Sequence, residues 1–169
     1  MAPGYAEQEN DDSDIGGEYV EPEAWKEDEV VIPPYPKQDD LIPVDLDRAE
    51  MPFDFYIDAK NLRVSPNSGV IRYTVLIESN SGAKNVLFEG IRCDSREFRT
   101  YAYGTYDGKL VKAQTSNWDS IRDSGFMIHR YGFYRHYMCS EYRNPHPVET
   151  VLQKIKYPEN FQVPDEYDD

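Results

Sequence analysis

The stretch GVIRYTVLIESNSGAKNVLFEGIRC, residues 69–93, commits the chain to an antiparallel sheet. Ile71, Tyr73, Val75 and Ile77 alternate with Arg72, Thr74, Leu76 and Glu78. A two-residue period puts the first set on one apolar face and the second on a mixed face. Asn80-Ser81-Gly82-Ala83 then supplies a hairpin connection, and KNVLFEGIRC returns antiparallel. Gly90, inside that return strand, predicts a bulge or a close backbone approach.

The same signals extend the sheet on both sides. Residues 97–104, EFRTYAYG, form a third strand, and Asp107-Gly108 turns it into a fourth, KLVKAQT. Segments near 53–58 and 62–64 complete a sheet of about five to six strands, mostly a meander. The period then changes. Ser116 or Asn117 offers an N-cap for a short turn carrying Trp118 and Ile121. Met127, Tyr131, Tyr134 and Met138 fall at helical spacing, although Gly132 interrupts them. Pro147 opens a stronger helix with Val148, Val151, Leu152 and Ile155 on one face, and Pro158 stops it. These elements predict one α+β domain over 50–158, with C-terminal helices packed on one face of the sheet.

Charge divides the chain into three. Residues 1–50 carry 16 Asp/Glu and 3 Lys/Arg, residues 51–156 carry 11 and 15, and residues 157–169 carry 5 and none. The net charge of −14 therefore belongs to the ends, and the middle is mildly basic. Residues 1–24 and 159–169 read as disordered acidic tails. Residues 25–49, with prolines at 33, 34, 36 and 43, read as an extended strap pinned by Trp25, Val31, Ile32, Tyr35 and Leu41.

No apolar run is long enough to span a membrane. The start lacks the basic and apolar regions of a signal peptide. That start fits either a cytosolic chain or a mature secreted chain whose leader has been removed.

Few residue patterns point to chemistry. There is no nucleophile elbow, Walker loop, dinucleotide-binding glycine pattern or H-E-x-x-H, so neither a catalytic residue nor a cofactor is expected. His136 and Cys139 are three residues apart, with His129 a turn or two away, but a structural zinc wants about four ligands. No metal site is expected. Asp12, Asp14, Gly17 and Glu23 imitate a calcium loop, yet Gly16 stands at a ligand position and no helices flank it. Among the carboxylates in strand contexts (Asp58, Glu89 and Asp94), Glu89 stands out because its neighbours are apolar. A structural ion pair with Arg72, Arg92 or Arg99 outweighs a role as acid or base. Arg92, Arg96, Arg99, Tyr101, Tyr103, Arg130, Tyr131, Arg135 and Tyr137 interleave cations with aromatics. That surface would suit an anionic ligand, but a weakly positive core beside two acidic tails argues against nucleic acid.

Two cysteines remain, Cys93 at a strand end and Cys139 at a helix end. A disulfide and a pair of reduced buried thiols both satisfy the count.

The order of the segments AWKE, IPPYP, FYIDAKNLRV, GVIRYTVLIES, SGAKNV, FEGIRC, YAYGTYDG and NWDSI, with the tyrosine-rich run ending in Cys139, resembles the CNP1-like family, bacterial envelope proteins found chiefly in beta-proteobacteria. The match covers roughly 24–140. Leu110 departs from it, where an aromatic residue is expected after the Asp-Gly turn. The resemblance implies export to the periplasm, or an outer-membrane lipoprotein, and with it the Cys93–Cys139 disulfide. It carries no catalytic residues. The resulting expectation is a non-enzymatic envelope protein that binds an envelope partner. Trp25, Tyr35, Glu89, Arg92, Arg99, Tyr101 and Tyr103 are its candidate contact residues. A small-ligand binder or enzyme with a pocket on the sheet, and an acidic mimic of nucleic acid, are the alternatives. The oligomeric state is left open.

Overall fold

A computed structural model describes residue 19 and residues 24–46, 51–125 and 127–158. It contains eight strands: β1 (Leu41–Val44), β2 (Phe53–Asp58), β3 (Arg63–Val64), β4 (Ile71–Ser79), β5 (Lys84–Arg92), β6 (Glu97–Gly104), β7 (Leu110–Lys112) and β8 (Asp119–Ser120). All pairings are antiparallel, in the order β1-β2-β4-β5-β6-β7, with β3 on β4 and β8 on β6.

The expected five to six strands are therefore too few. β1 lies inside what reads as strap, because Pro43 argues against a strand. It pairs only with β2 at the sheet's edge, where a missing N–H is tolerated. β8 replaces the expected capped turn around Trp118. Its two residues are too short for any period to show. Ser116 does not cap a helix: its hydroxyl donates to the Thr100 carbonyl.

β4 and β5 pair antiparallel as expected, but the alternation in β4 predicts one covered face and both are covered. Ile71–Ile77 are all buried, because both faces of β4 are covered. Ile71, Tyr73, Val75 and Ile77 join Phe55, Ile57, Leu87 and Ile91 in the main core. Phe133, Met138, Val151 and Ile155 close that core from the helical side. On the opposite face Phe88, Tyr101 and Ala102 form a smaller cluster, covered by Val30 and Ile32 of the strap.

The C-terminal helix α2 (Val148–Lys156) starts behind Pro147 and buries Val151 and Ile155, as its spacing predicts. The segment before it differs from expectation. One short turn, α1 (His129–Gly132), runs directly into a π-helical turn over Phe133–Met138. The wider turn shifts the inward face. Ile128, His129, Phe133, Tyr137 and Met138 are buried, while Met127 of the predicted stripe is 39% exposed. A Cβ on Gly132 would meet Leu46 Cδ2 at 2.6 Å, so a larger residue there would displace the Leu46 side chain.

Apart from residues 19 and 24, the two tails and the calcium-like loop lie outside the described residues, as do residues 47–50 of the predicted strap.

Candidate functional site

Strand β5 organises both faces of the sheet. Leu87, Ile91 and Cys93 belong to the core on the helical side, while Phe88 belongs to the cluster under the strap. The pleat thus places Glu89 on the helical face, one carboxylate in an otherwise apolar row. Against β6 the register shifts here: Phe88 pairs with Ala102 and Glu89 with Thr100, which leaves Tyr101 as the extra residue of a bulge on β6.

Glu89 is completely buried. Its Oε1 accepts from Tyr73 Oη at 3.1 Å and from His129 Nε2 at 2.8 Å. Its Oε2 accepts from Thr100 Oγ1 at 2.8 Å, from Arg130 Nε at 3.0 Å, and from Arg130 Nη2. Burial alone would raise the carboxyl's pKa. The His129 hydrogen bond and the charges of His129 and Arg130 outweigh it and hold the pKa at about 2. The same burial, reinforced by the Glu89 charge, pushes the Tyr73 hydroxyl well above its ordinary value. The Arg130 guanidinium also lies 3.8 Å over the Phe98 ring.

A carboxylate so placed has spent its acceptor positions and sees no water. It is paired, and the geometry suits a clamp between sheet and α1 better than a proton-transfer group. Its partners are not those expected. Arg72, Arg92 and Arg99 all serve other acceptors.

Arg72 and Arg99 face the strap and converge on Glu27, whose side chain is only 10% exposed. Arg99 Nη1 reaches Glu27 Oε2 at 2.7 Å, Arg72 Nη2 reaches Oε1 at 3.3 Å, and Tyr101 Oη donates to Oε1. Burial and the bond to Glu27 push the Tyr101 hydroxyl up. Arg72 continues along the strap to the Asp28 carbonyl at 2.8 Å and the Glu29 carbonyl at 3.0 Å.

Asp28 caps the turn at 65–69, accepting from Ser65 Oγ and from the backbone N–H groups of Asn67 and Ser68. These bonds, Ser65 first, lower its pKa to about 2. Trp25 donates to the Ser68 carbonyl at 3.3 Å and packs edge-on against Trp118. Arg92 lies 3.7 Å over the Trp25 ring and pairs with Asp94 at 2.9 Å. Asp58 accepts from the Lys60 N–H and the Asn61 amide, closing a tight local turn.

Two glycines make the strap's approach possible. A Cβ on Gly104 would lie 3.0 Å from Tyr35 Cε2, so Tyr35 can pack across the end of β6. A Cβ on Gly90 would lie 2.5 Å from Tyr101 Oη and 2.8 Å from Val70 Cγ1. Gly90 thus lies opposite a bulge on β6 rather than in one, and the close approach to it is by the Tyr101 and Val70 side chains and not by backbone. Gly90→Ala is expected to push Tyr101 off Glu27 and to cost about 1–3 kcal/mol, read by denaturant unfolding.

Cys93 and Cys139 form a disulfide with Cα atoms 5.6 Å apart. It ties the end of β5 to the end of the π-helical turn, and both residues are buried. The sulfur of Cys139 is thereby committed, and His129 is committed to Glu89. No group of three or more candidate metal ligands occurs among the described residues.

Of the seven predicted contact residues, the structure gathers five at the strap: Trp25, Arg92, Arg99, Tyr101 and, at the far end, Tyr35. Glu89 lies on the opposite face. Tyr103 is 41% exposed beyond the strap. Glu27, Asp28, Arg72, His129 and Arg130 carry the two centres without having been predicted in these roles. For Glu27 and Asp28 no local signal existed, since both stand among the many acids of the N-terminal part of the chain.

An open groove of about 240 Å³ lies beside Arg130, lined by Phe98, Asp119, Ser120, Arg122, Ser124 and Met127. It is smaller than the roughly 300 Å³ at which ligand pockets begin.

The fold and its centres thus define a strapped antiparallel sheet, clamped to helices by a buried carboxylate and a disulfide. The chain belongs to the CNP1-like family, whose model matches residues 20–156 and so spans the strap, both carboxylate centres and both cysteines. No curated protein and no solved structure matches the chain.

Proposed function

We propose that the protein is a non-enzymatic component of the bacterial cell envelope, periplasmic or lipid-anchored, that binds an envelope protein. The observation that carries the binding role is an exposed apolar strip on the outer hairpin of the sheet. Tyr103 on β6 pairs directly opposite Val111 on β7, which places both on one face. They are 41% and 40% exposed, and Tyr106 at the hairpin tip is fully exposed. Among the described residues β7 ends the strand order, so its outer side offers backbone groups that no described strand pairs, next to that strip.

Other features support the same reading. A disulfide persists in an oxidising compartment. No helix among the described residues is long and apolar enough to cross a membrane. Arg92 and Arg99 of the aromatic-basic surface are paired within the chain, which reduces the charge free for nucleic acid.

The test places a photo-crosslinking residue at Tyr106 or, as a control, at Tyr142, which is 78% exposed elsewhere. Irradiation of envelope fractions is expected to give a discrete protein adduct from position 106 and none from 142. Equal labelling from both positions, or none from either, would count against the proposal.

A further inference from the structure

The strap is held as a bound peptide is held. Residues 24–37 form no strand or helix. Their anchors are side chains set into a prepared surface: Trp25 on Arg92 and the Ser68 carbonyl, Glu27 between Arg72, Arg99 and Tyr101, and Asp28 on the N–H groups of the turn at 65–69. Apolar cover is thin. Val30 and Ile32 are only partly buried, Val31 is 74% exposed and Trp25 is 37% exposed. Segments held by few apolar contacts open locally at low cost.

The receiving side chains stand on strands that pair without the strap. Arg72 and Arg99 project from the paired central strands β4 and β6, and Tyr101 stands in the space Gly90 leaves. The Arg99 Nε is fixed by Ser116 Oγ at 2.7 Å. Lifting the strap would leave two guanidiniums, a phenol and two backbone N–H groups pointing from a preformed groove, beside the apolar patch of Phe88, Tyr101 and Ala102.

We infer that this face of the sheet is a recognition groove for an extended acidic segment led by an aromatic residue, with carboxylates two and three positions on. Residues 25–32 occupy it in cis. A partner protein presenting such a segment exchanges with the strap. The tether gives the strap an effective concentration on the order of millimolar, so exchange in trans favours a partner that is also held at a second surface.

The experiment uses the full chain with strap-side substitutions only, Trp25→Ala, Glu27→Gln and Asp28→Asn together, which leave the receiving residues untouched. The probe is a fluorescent peptide AWKEDEVVI, the chain's own residues 24–32, followed by anisotropy. The released variant is expected to bind it at least about ten-fold more tightly than the wild-type chain does, because the competing strap is gone. Neutralising the peptide's carboxylates, or adding Arg72→Gln and Arg99→Gln to the variant, is expected to abolish binding. Raised salt should weaken it. A folded variant that ignores the peptide, or that binds the neutral peptide equally well, would overturn the inference. So would loss of the cooperative fold in the released variant, since the strap would then be an integral layer and not an exchangeable occupant.

Discussion

Glu89→Gln is expected to destabilise the protein by about 3–5 kcal/mol, read as the loss in unfolding free energy by denaturant titration. The size follows from what surrounds the carboxylate. Donors face both of its oxygens: Tyr73 and His129 on one side, Thr100 and Arg130 on the other. An amide can aim its oxygen at Arg130 only if Tyr73 and His129 reverse from donors to acceptors for its NH2, and Arg130 loses its counter-charge. Replacing both partners, Glu89→Gln with Arg130→Met, is expected to cost less than the two single substitutions together, because the pair is removed as a unit. A single substitution costing under about 1 kcal/mol would show that the centre does not hold α1 to the sheet.

The same centre fixes a pH dependence. The Glu89 carboxyl is depressed from an ordinary 4.5 to about 2 in the folded chain. A depressed folded value means that the unfolded chain binds the proton first as pH falls. The contribution, roughly 3 kcal/mol, is therefore complete above about pH 4.5 and is lost as pH falls toward 2. Asp28 works in the same direction over the same window. The acid limb of the stability curve should flatten in Glu89→Gln.

Removing the disulfide is the other large effect. Cys93 and Cys139 are 46 residues apart, and closing a loop of that length stabilises by about 4 kcal/mol through the unfolded chain. Cys93→Ala with Cys139→Ala is expected to lower the unfolding free energy by about that amount. Helical contacts should loosen before the central strands do. The bond joins the end of β5 to the segment carrying His129, Arg130 and Phe133, whereas β4 and β5 hold each other by a ladder of eight registered pairs. Hydrogen exchange on the reduced or substituted chain checks this, with earlier loss of protection over 129–138 than over 71–79.

Much of the sheet was legible because its long strands carry their own evidence. Nine residues in β4 and nine in β5 are enough to show a period of two, and two of the three turns between β4 and β7 carry glycine at positive φ, while the third places Arg96 there. Gly82 and Gly108 both adopt positive φ. Short elements carry no such record. β1 and β8 exist because a neighbouring strand offers a partner, which no local pattern reports. The segment 127–138 misled for a different reason. A period of 3.6 was read across residues that change to a π-helical turn midway, so the inward face moves to His129, Phe133 and Tyr137.

The centres were half legible. Glu89 stood out by its apolar neighbours, but its partners lie 40 and 41 residues away on a helix whose facing side had been misplaced. Glu27 and Asp28 were hidden by composition. They sit in the most acidic part of the chain, where each acid reads as solvated, and only the tertiary placement of Arg72 and Arg99 singles them out.

The claim that Glu89 is a saturated structural anchor can be tested at the atom itself. Carbon-13 chemical shifts of the glutamate side-chain carboxyls, followed against pH in the folded chain, report its ionisation directly. The account predicts a Glu89 carboxyl that stays ionised through the ordinary carboxylate range and titrates only near pH 2, as the fold is lost. A midpoint near or above about pH 6, the range of a carboxylic acid tuned for proton transfer, would contradict it.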